Sequence, residues 1–269
     1  KTLEEVSEKY KHIDFRALAI NRRQNTFIPK HDDIFHEGDL VYVITKPHAI
    51  KELMQLSGKI RFNIHNVMIV GGGRIGKMTA KRLENDMNIK IFEMDKERCI
   101  DLTNDLSDTM IINADARNVD LLEEEDIKNM DAFIAVTENT ETNILTCLQA
   151  KAFGVKKTIA MVENIDYIDI SQNIGIDTII NKKRVTASNI FRFTMSTDVQ
   201  AIRCLTGSDA EVLEFIVKPN SPATKSLVKD MRLPHDVIIG GVMRGDKAFI
   251  AVGDTKIKAY DRVVVFSMP

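Results

Sequence analysis

The stretch Val67-Met68-Ile69-Val70-Gly71-Gly72-Gly73-Arg74-Ile75-Gly76 decides how this sequence folds. A short, uniformly apolar strand, of the kind covered on both faces, runs into a glycine-rich turn that opens a helix. Glycines at 71, 73 and 76 satisfy the spacing G-x-G-x-x-G. The first permits the tight turn, the second lets backbone approach a pyrophosphate, and the third lets helix and strand pack closely. Backbone N–H groups and the helix dipole at residues 74–77 then face the phosphates. A glycine turn without a ligand is the plainer alternative; the strand-then-helix context favours the phosphate cradle.

Outward from this turn, apolar runs at 66–71, 88–94, 109–114, 131–137, 157–163 and 177–181 alternate with helical patterns at 74–86, 96–106, 119–127, 141–153 and 167–174. Six strands joined by crossover helices predict an α/β fold, a Rossmann-like doubly wound parallel sheet. Ligands of such sheets bind at the carboxyl ends of the strands, and acidic residues stand there. Glu93 lies 17 residues beyond Gly76, near the separation expected of the carboxylate that accepts from the ribose hydroxyls. Asp95 competes, but its place before Lys96 suits a helix N-cap. Asp115 closes the third strand, and Thr137 with Glu138 closes the fourth. Turn and capping chemistry is the alternative for each, and a solvated helix start is the alternative for Arg74.

The flanks carry a repeat. Residues 15–44 align without a gap with 237–266 at an offset of 222, with seven identities in thirty positions. Arg22/Arg244, Phe27/Phe249 and Asp39/Asp261 are among them, and the same offset pairs Thr2 with Thr224. The second copy has an additional first strand near 211–217, so the first copy reads as truncated and the chain as a piece of a longer tandem protein. Residues 182–206 read as one long helical segment, with Val185, Ile190, Phe193, Met195, Val199, Ile202 and Leu205 as its apolar positions. The expected organisation is a partial module at 1–59, a nucleotide domain at 64–190, a linker helix at 191–206 and a complete module at 207–269.

The 269 residues, 44% hydrophobic and 28% charged, fit a globular protein, and the net charge of −2 gives no reason to expect nucleic acid as a partner. No apolar run reaches the roughly 20 residues of a membrane-spanning helix. Three cysteines in apolar contexts suggest buried thiols, and six scattered histidines show no metal-ligand spacing. No nucleophile–base pair appears, and no catalytic residue is assigned. The expectation is a receptor that holds its nucleotide without transforming it; a small NAD-dependent oxidoreductase is the alternative.

VMIVGGGRIG, IFEMD, NADARN, AVTENTETNIL and GIDTIINKKRVTASNI together resemble the TrkA family, regulatory subunits of bacterial Trk-type potassium uptake systems with domains of the RCK class. Both flanking repeats look like that family's small β-rich carboxy-terminal module, and the chain as a whole resembles the carboxy-terminal half of a tandem member. The resemblance implies Gly71, Gly72, Gly73, Arg74 and Ile75 at the diphosphate, Glu93 at the ribose, and Thr137 and Glu138 in the inner cleft. It implies NAD(H) as the ligand, with ATP or ADP as alternatives. It further implies a cytoplasmic gating subunit, peripheral on the inner face of the cell membrane, acting on an integral-membrane channel-like subunit of the TrkH/TrkG type. A homo-oligomer is implied as well, a dimer of this chain and a tetramer-like ring of the full protein. The chain departs from the family pattern in Asn113-Ala114-Asp115, where Gly-Asp-Ala is usual, and in AMVEN, which lacks an arginine some relatives carry.

Overall fold

The computed structural model describes residues 2–22, 25–58, 63–194, 199–205 and 210–268, with backbone alone at 188, 191–194 and 199–204. The chain divides into two compact units, one of Lys1–Arg61 with Thr186–Pro269, the other of Phe62–Val185. The first flank contributes α1 (Leu3–Lys9), β1 (Phe15–Arg22), β2 (Asn25–Phe27), β3 (Leu40–Thr45) and α2 (Ile50–Leu56). The central unit runs β4 (Asn66–Val70), α3 (Arg74–Leu83), β5 (Asn88–Glu93), α4 (Lys96–Asp105), β6 (Thr109–Asn113) and α5 (Val119–Glu124). It continues with β7 (Ala132–Ala135), α6 (Thr140–Ala152), β8 (Lys157–Met161), α7 (Asp166–Asn173) and β9 (Thr178–Ile180). Then follow α8 (Lys182–Thr194), β10 (Val199–Cys204), β11 (Glu211–Ile216), β12 (Val237–Arg244), β13 (Lys247–Ile250) and β14 (Arg262–Ser267).

In the central unit six parallel strands lie in the order β6-β5-β4-β7-β8-β9, so the chain reverses direction between β4 and β7. The alternation of side chains along each strand builds two cores, one on each face of the sheet. Met68, Val70, Phe92 and Phe133 enter one; Val67, Ile69, Ile91 and Ile134 enter the other. This double burial is why the strand interiors are mostly apolar, with Lys90 and Thr158 the polar exceptions.

The repeat seen in the sequence is a repeat in space. β1, β2 and β3 correspond to β12, β13 and β14 at the offset of 222, and each set is antiparallel. Both first strands bulge at the same point, between Ala17 and Ala19 and between Ile239 and Gly241. Gly38 and its counterpart Tyr260 both hold a left-handed backbone, at φ 86° and 67°. The identical residues form one clamp twice. Arg22 donates to Asp39 at 2.7 and 2.8 Å and to the Ile34 carbonyl; Arg244 donates to Asp261 at the same distances and to the Lys256 carbonyl. Each guanidinium also lies over a phenylalanine, Phe27 or Phe249. Leu18 and Ala19 of the first copy share a core with Ile238 and Phe266 of the second. A Cβ at Gly240 would stand 2.9 Å from the Leu18 methyl, so glycine gives that side chain its room.

Two expectations are corrected. Thr2 does not correspond to Thr224. Leu3 N donates to Asp33 O as Val228 N does to Thr255 O, and the Thr2–Ile34 bridge matches the Leu227–Lys256 bridge. The offset is therefore 225 before the first strand, because the turn ahead of β12 is three residues shorter than its counterpart. The single helix over 182–206, with its linker at 191–206, is not formed either. α8 ends at Thr194, and Val199–Cys204 forms β10 against β11. Val199, Ile202 and Leu205 have helical spacing, but the open edge of a sheet supplies ladder hydrogen bonds, and β-branched residues suit it. Residues 195–198 and 206 of that expected helix lie outside the described residues.

The Arg22 guanidinium, with the His36 amide, holds the Asp39 carboxyl down at about 2. The Asp39 side chain is only 2% exposed. A depressed carboxylate pKa contributes stability that is complete above the unfolded value and is lost as pH falls through the folded one. Thermal melting is therefore expected to lose stability between about pH 4 and pH 2. Asp39→Asn should flatten part of that slope and cost on the order of 2 kcal/mol at neutral pH.

Candidate functional site

Where β4 ends, the chain turns on glycine because nothing larger fits. Gly71 adopts φ 101°, and a Cβ there would meet the Thr137 backbone nitrogen at 3.0 Å. A Cβ on Gly76 would fall 1.9 Å from the Gly71 carbonyl oxygen. α3 therefore lies directly on the end of its strand. Gly72 is enclosed in the same way, with the Leu102 methyl 2.4 Å from its would-be Cβ. Gly73 differs. It stands at the N-cap of α3 without a capping side chain, and a Cβ there would meet nothing within 4 Å. The first-turn amides of α3 thus open onto unfilled space, the arrangement that takes an anion.

Glu93, at the end of β5, is 93% buried, and backbone amides fix it from two sides. Gly72 N donates to Oε2 at 2.8 Å, and Asp95 N donates to Oε1 at 2.9 Å. Arg98 adds a longer contact to Oε2 at 3.4 Å. A carboxylate accepts about four hydrogen bonds, so Glu93 organises the glycine turn and retains capacity for about one hydroxyl. Asp95 caps α4 by accepting from Arg98 N at 3.0 Å.

Asn143, fully buried on α6, holds the fourth strand end. Its Oδ1 accepts from Thr137 N at 2.9 Å and Thr137 Oγ1 at 2.6 Å, while Nδ2 donates to the carbonyls of Thr137 and Met161. Asn139 caps α6 through Thr142 N. On the other side of the cleft, Arg117 engages Asp115 through both carboxylate oxygens and keeps the Asp115 carboxyl below the usual range.

A cavity of about 200 Å³ opens among these strand ends, and Gly71, Gly73, Glu93, Asp115, Thr137 and Glu138 all line it. Of the other residues expected at the site, Gly72 sits behind Glu93, and Gly76 sits beneath Gly71. Ile75 packs into the core, and Arg74 is exposed at the first position of α3. Arg98, Met94 and Thr142 line the cavity without having been expected there. Cys147, buried beneath β7, has its thiol pushed up to about 12 by burial, so it is no nucleophile. Among the described residues no group of three His, Cys, Asp or Glu could hold a metal. The groove presents open backbone amides and one buried carboxylate, chemistry suited to an anion and to a hydroxyl donor.

The TrkA-N domain model matches residues 67–182, and the TrkA-C domain model matches twice, at 1–58 and 212–267. The chain belongs to the TrkA family. It is 32% identical over 267 residues to the Trk system potassium uptake protein TrkA of Vibrio alginolyticus, covering 98% of this chain and 58% of that protein. It is 32% identical over 252 residues to TrkA homolog 2 of Methanosarcina mazei, covering 93% and 56%. The chain thus spans little more than half the length of these relatives. Among solved structures, the GsuK RCK domain and the GsuK channel bound to NAD each align at a TM-score of 0.53 and 16% identity. They cover all of this chain and 57% and 48% of those chains, and they show a shared fold. The two TrkA-C matches fall on the two halves of the structural repeat.

The turn predicts an asymmetry between its glycines. Gly76→Ala should lower stability by about 1–3 kcal/mol through overpacking against the Gly71 carbonyl. Gly73→Ala, which meets no steric obstacle, should cost less, about 0.5–1 kcal/mol from the poorer N-cap. Urea unfolding of both variants measures the difference.

Proposed function

We propose that this TrkA-family chain is the nucleotide-sensing part of a regulatory subunit of a potassium uptake system, without catalysis of its own. The observation that carries this reading is the uncapped N-terminus of α3, open at Gly73 and backed by the buried Glu93. The names of the relatives as Trk system potassium uptake proteins, and the solved GsuK channel bound to NAD, support it. Amides at residues 73–76 would receive the phosphates. The one open position on Glu93 would accept a ribose hydroxyl, and a 2′-phosphate beside that carboxylate would be repelled. This favours NAD(H) over its phosphorylated form, with ATP and ADP as the alternatives.

Regulation then requires that the ligand bind two arrangements of the protein with different affinity, and that a membrane partner read the difference. That partner would be a channel-like subunit of the TrkH/TrkG type, with this chain peripheral on the inner face of the membrane. Among the described residues no helix is long and apolar enough to cross a membrane. Leu145, Ile165, Ile170 and Ile174 stand 48–60% exposed on and around α6 and α7, which supports a homo-oligomer.

Titration calorimetry of the chain against NADH, NAD, ATP and ADP tests the reading. Saturable binding of at least one is expected, and absence of heat with all four would refute it. Gly73→Asp places a carboxylate at the helix N-cap, where the phosphates would lie. It should leave the melting temperature unchanged or higher and weaken nucleotide binding at least about a hundredfold. Substrate-dependent turnover of the nucleotide would overturn the non-catalytic part of the proposal.

A further inference from the structure

The two flanking copies share their clamp but differ at the place where they meet. Arg16, partly buried on β1, reaches into the second copy, where Nη1 donates to the Ile239 carbonyl at 3.1 Å and to the Ala251 carbonyl. Among the described residues no carboxylate pairs with it; two carbonyls hold the guanidinium. At the offset of 222 those carbonyls correspond to Ala17 and Pro29 of the first copy, and Arg16 itself corresponds to Ile238. The first copy therefore presents the same pair of carbonyl positions to an isoleucine, which has nothing to donate. Among the described residues no side chain donates to the carbonyl of Ala17 or Pro29. A cavity of about 380 Å³ lies at that place, and Ala17, Pro29 and Ile238 all line it.

The rest of its wall differs in charge from the second copy. Glu4 and Glu8 line the cavity. Glu4 N bonds His31 O as Lys229 N bonds Gly253 O, so the acid of the first copy stands where the second has a lysine. Phe15 lines the cavity where the second copy has Val237, and an aromatic face attracts a cation. Arg16 is the one arginine on the wall, and the second copy's carbonyls hold its head group. The volume suits a small molecule.

We propose that this cavity is a binding site for a small ligand bearing a guanidinium group, received as Arg16 is received in the second copy. The Ala17 and Pro29 carbonyls would accept from it, and Glu4 and Glu8 would balance its charge. The site is separate from the glycine turn and independent of the nucleotide reading.

Agmatine is the probe, titrated into the 269-residue chain at constant ionic strength set with KCl. Saturable binding with a rise in melting temperature is expected. Glu4→Lys with Glu8→Lys, both exposed positions, should weaken it about tenfold or more. Ile238→Arg, which supplies the guanidinium that the second copy already has, should abolish it. Gly73→Asp should leave it unchanged. No saturable binding at millimolar agmatine would overturn the proposal, as would an affinity that the paired lysine substitutions leave intact. The lysine pair decides the matter alone where Ile238→Arg does not fold.

Discussion

The closeness of α3 to the end of β4 is the constraint on which the rest of the central unit depends. With 1.9 Å between the Gly71 oxygen and any Cβ at Gly76, α3 could not lie where it does with another residue at its third position. That approach brings the Gly72 amide onto Glu93 and leaves Gly73 facing outward at the helix terminus. The same turn presses Gly71 against Thr137, so the fourth strand end is fixed by the first. One steric condition therefore sets the open helix-terminal amides, the buried carboxylate and the inner wall together.

At the edge where parallel sheets bind their ligands, asparagines engage the carbonyls of several strand ends here. Asn113 donates to the carbonyls of Glu93 and Met94, Asn143 to those of Thr137 and Met161, and Asn181 to those of Val162 and Glu163. Each amide ties one strand end to its neighbour. Satisfied polar networks of this kind stiffen the rim of a site. A rim held in this way favours binding through preorganised amides.

Much of this was legible in the sequence, because the fold-deciding signals are local. Apolar runs of strand length, the glycine spacing and the acid that ends β5 each sit within a short window. The partners of those residues were less legible. Glu93 read as a ribose acceptor, yet the amide that claims it comes from a residue 21 positions earlier. Asn143 passed as a helix residue like its neighbours, although Asn143, Thr146, Cys147 and Ala150 form a buried stripe of helical period. That stripe was the signal that could have found it. The expected helix through 206 failed for a similar reason. Its spacing was compatible with a helix, and pairing with the open edge of β11, which begins at Glu211, made it a strand, a partnership that periodicity alone does not register.

A repeat within one chain separates what the fold demands from what it leaves free. Both copies must form the same meander, and both spend an arginine, an aspartate and a phenylalanine on the same clamp, with a left-handed residue at the same turn. These shared features serve the architecture. Arg16 and Ile238 occupy one position in that architecture, and each copy folds with its own choice. Backbone geometry therefore does not dictate the residue there. The guanidinium has to be explained by what it does, which is to fill one carbonyl-lined recess and leave its counterpart open. Shared residues of the repeat report stability, whereas the positions at which the copies part are where a second function could be accommodated without cost to the fold.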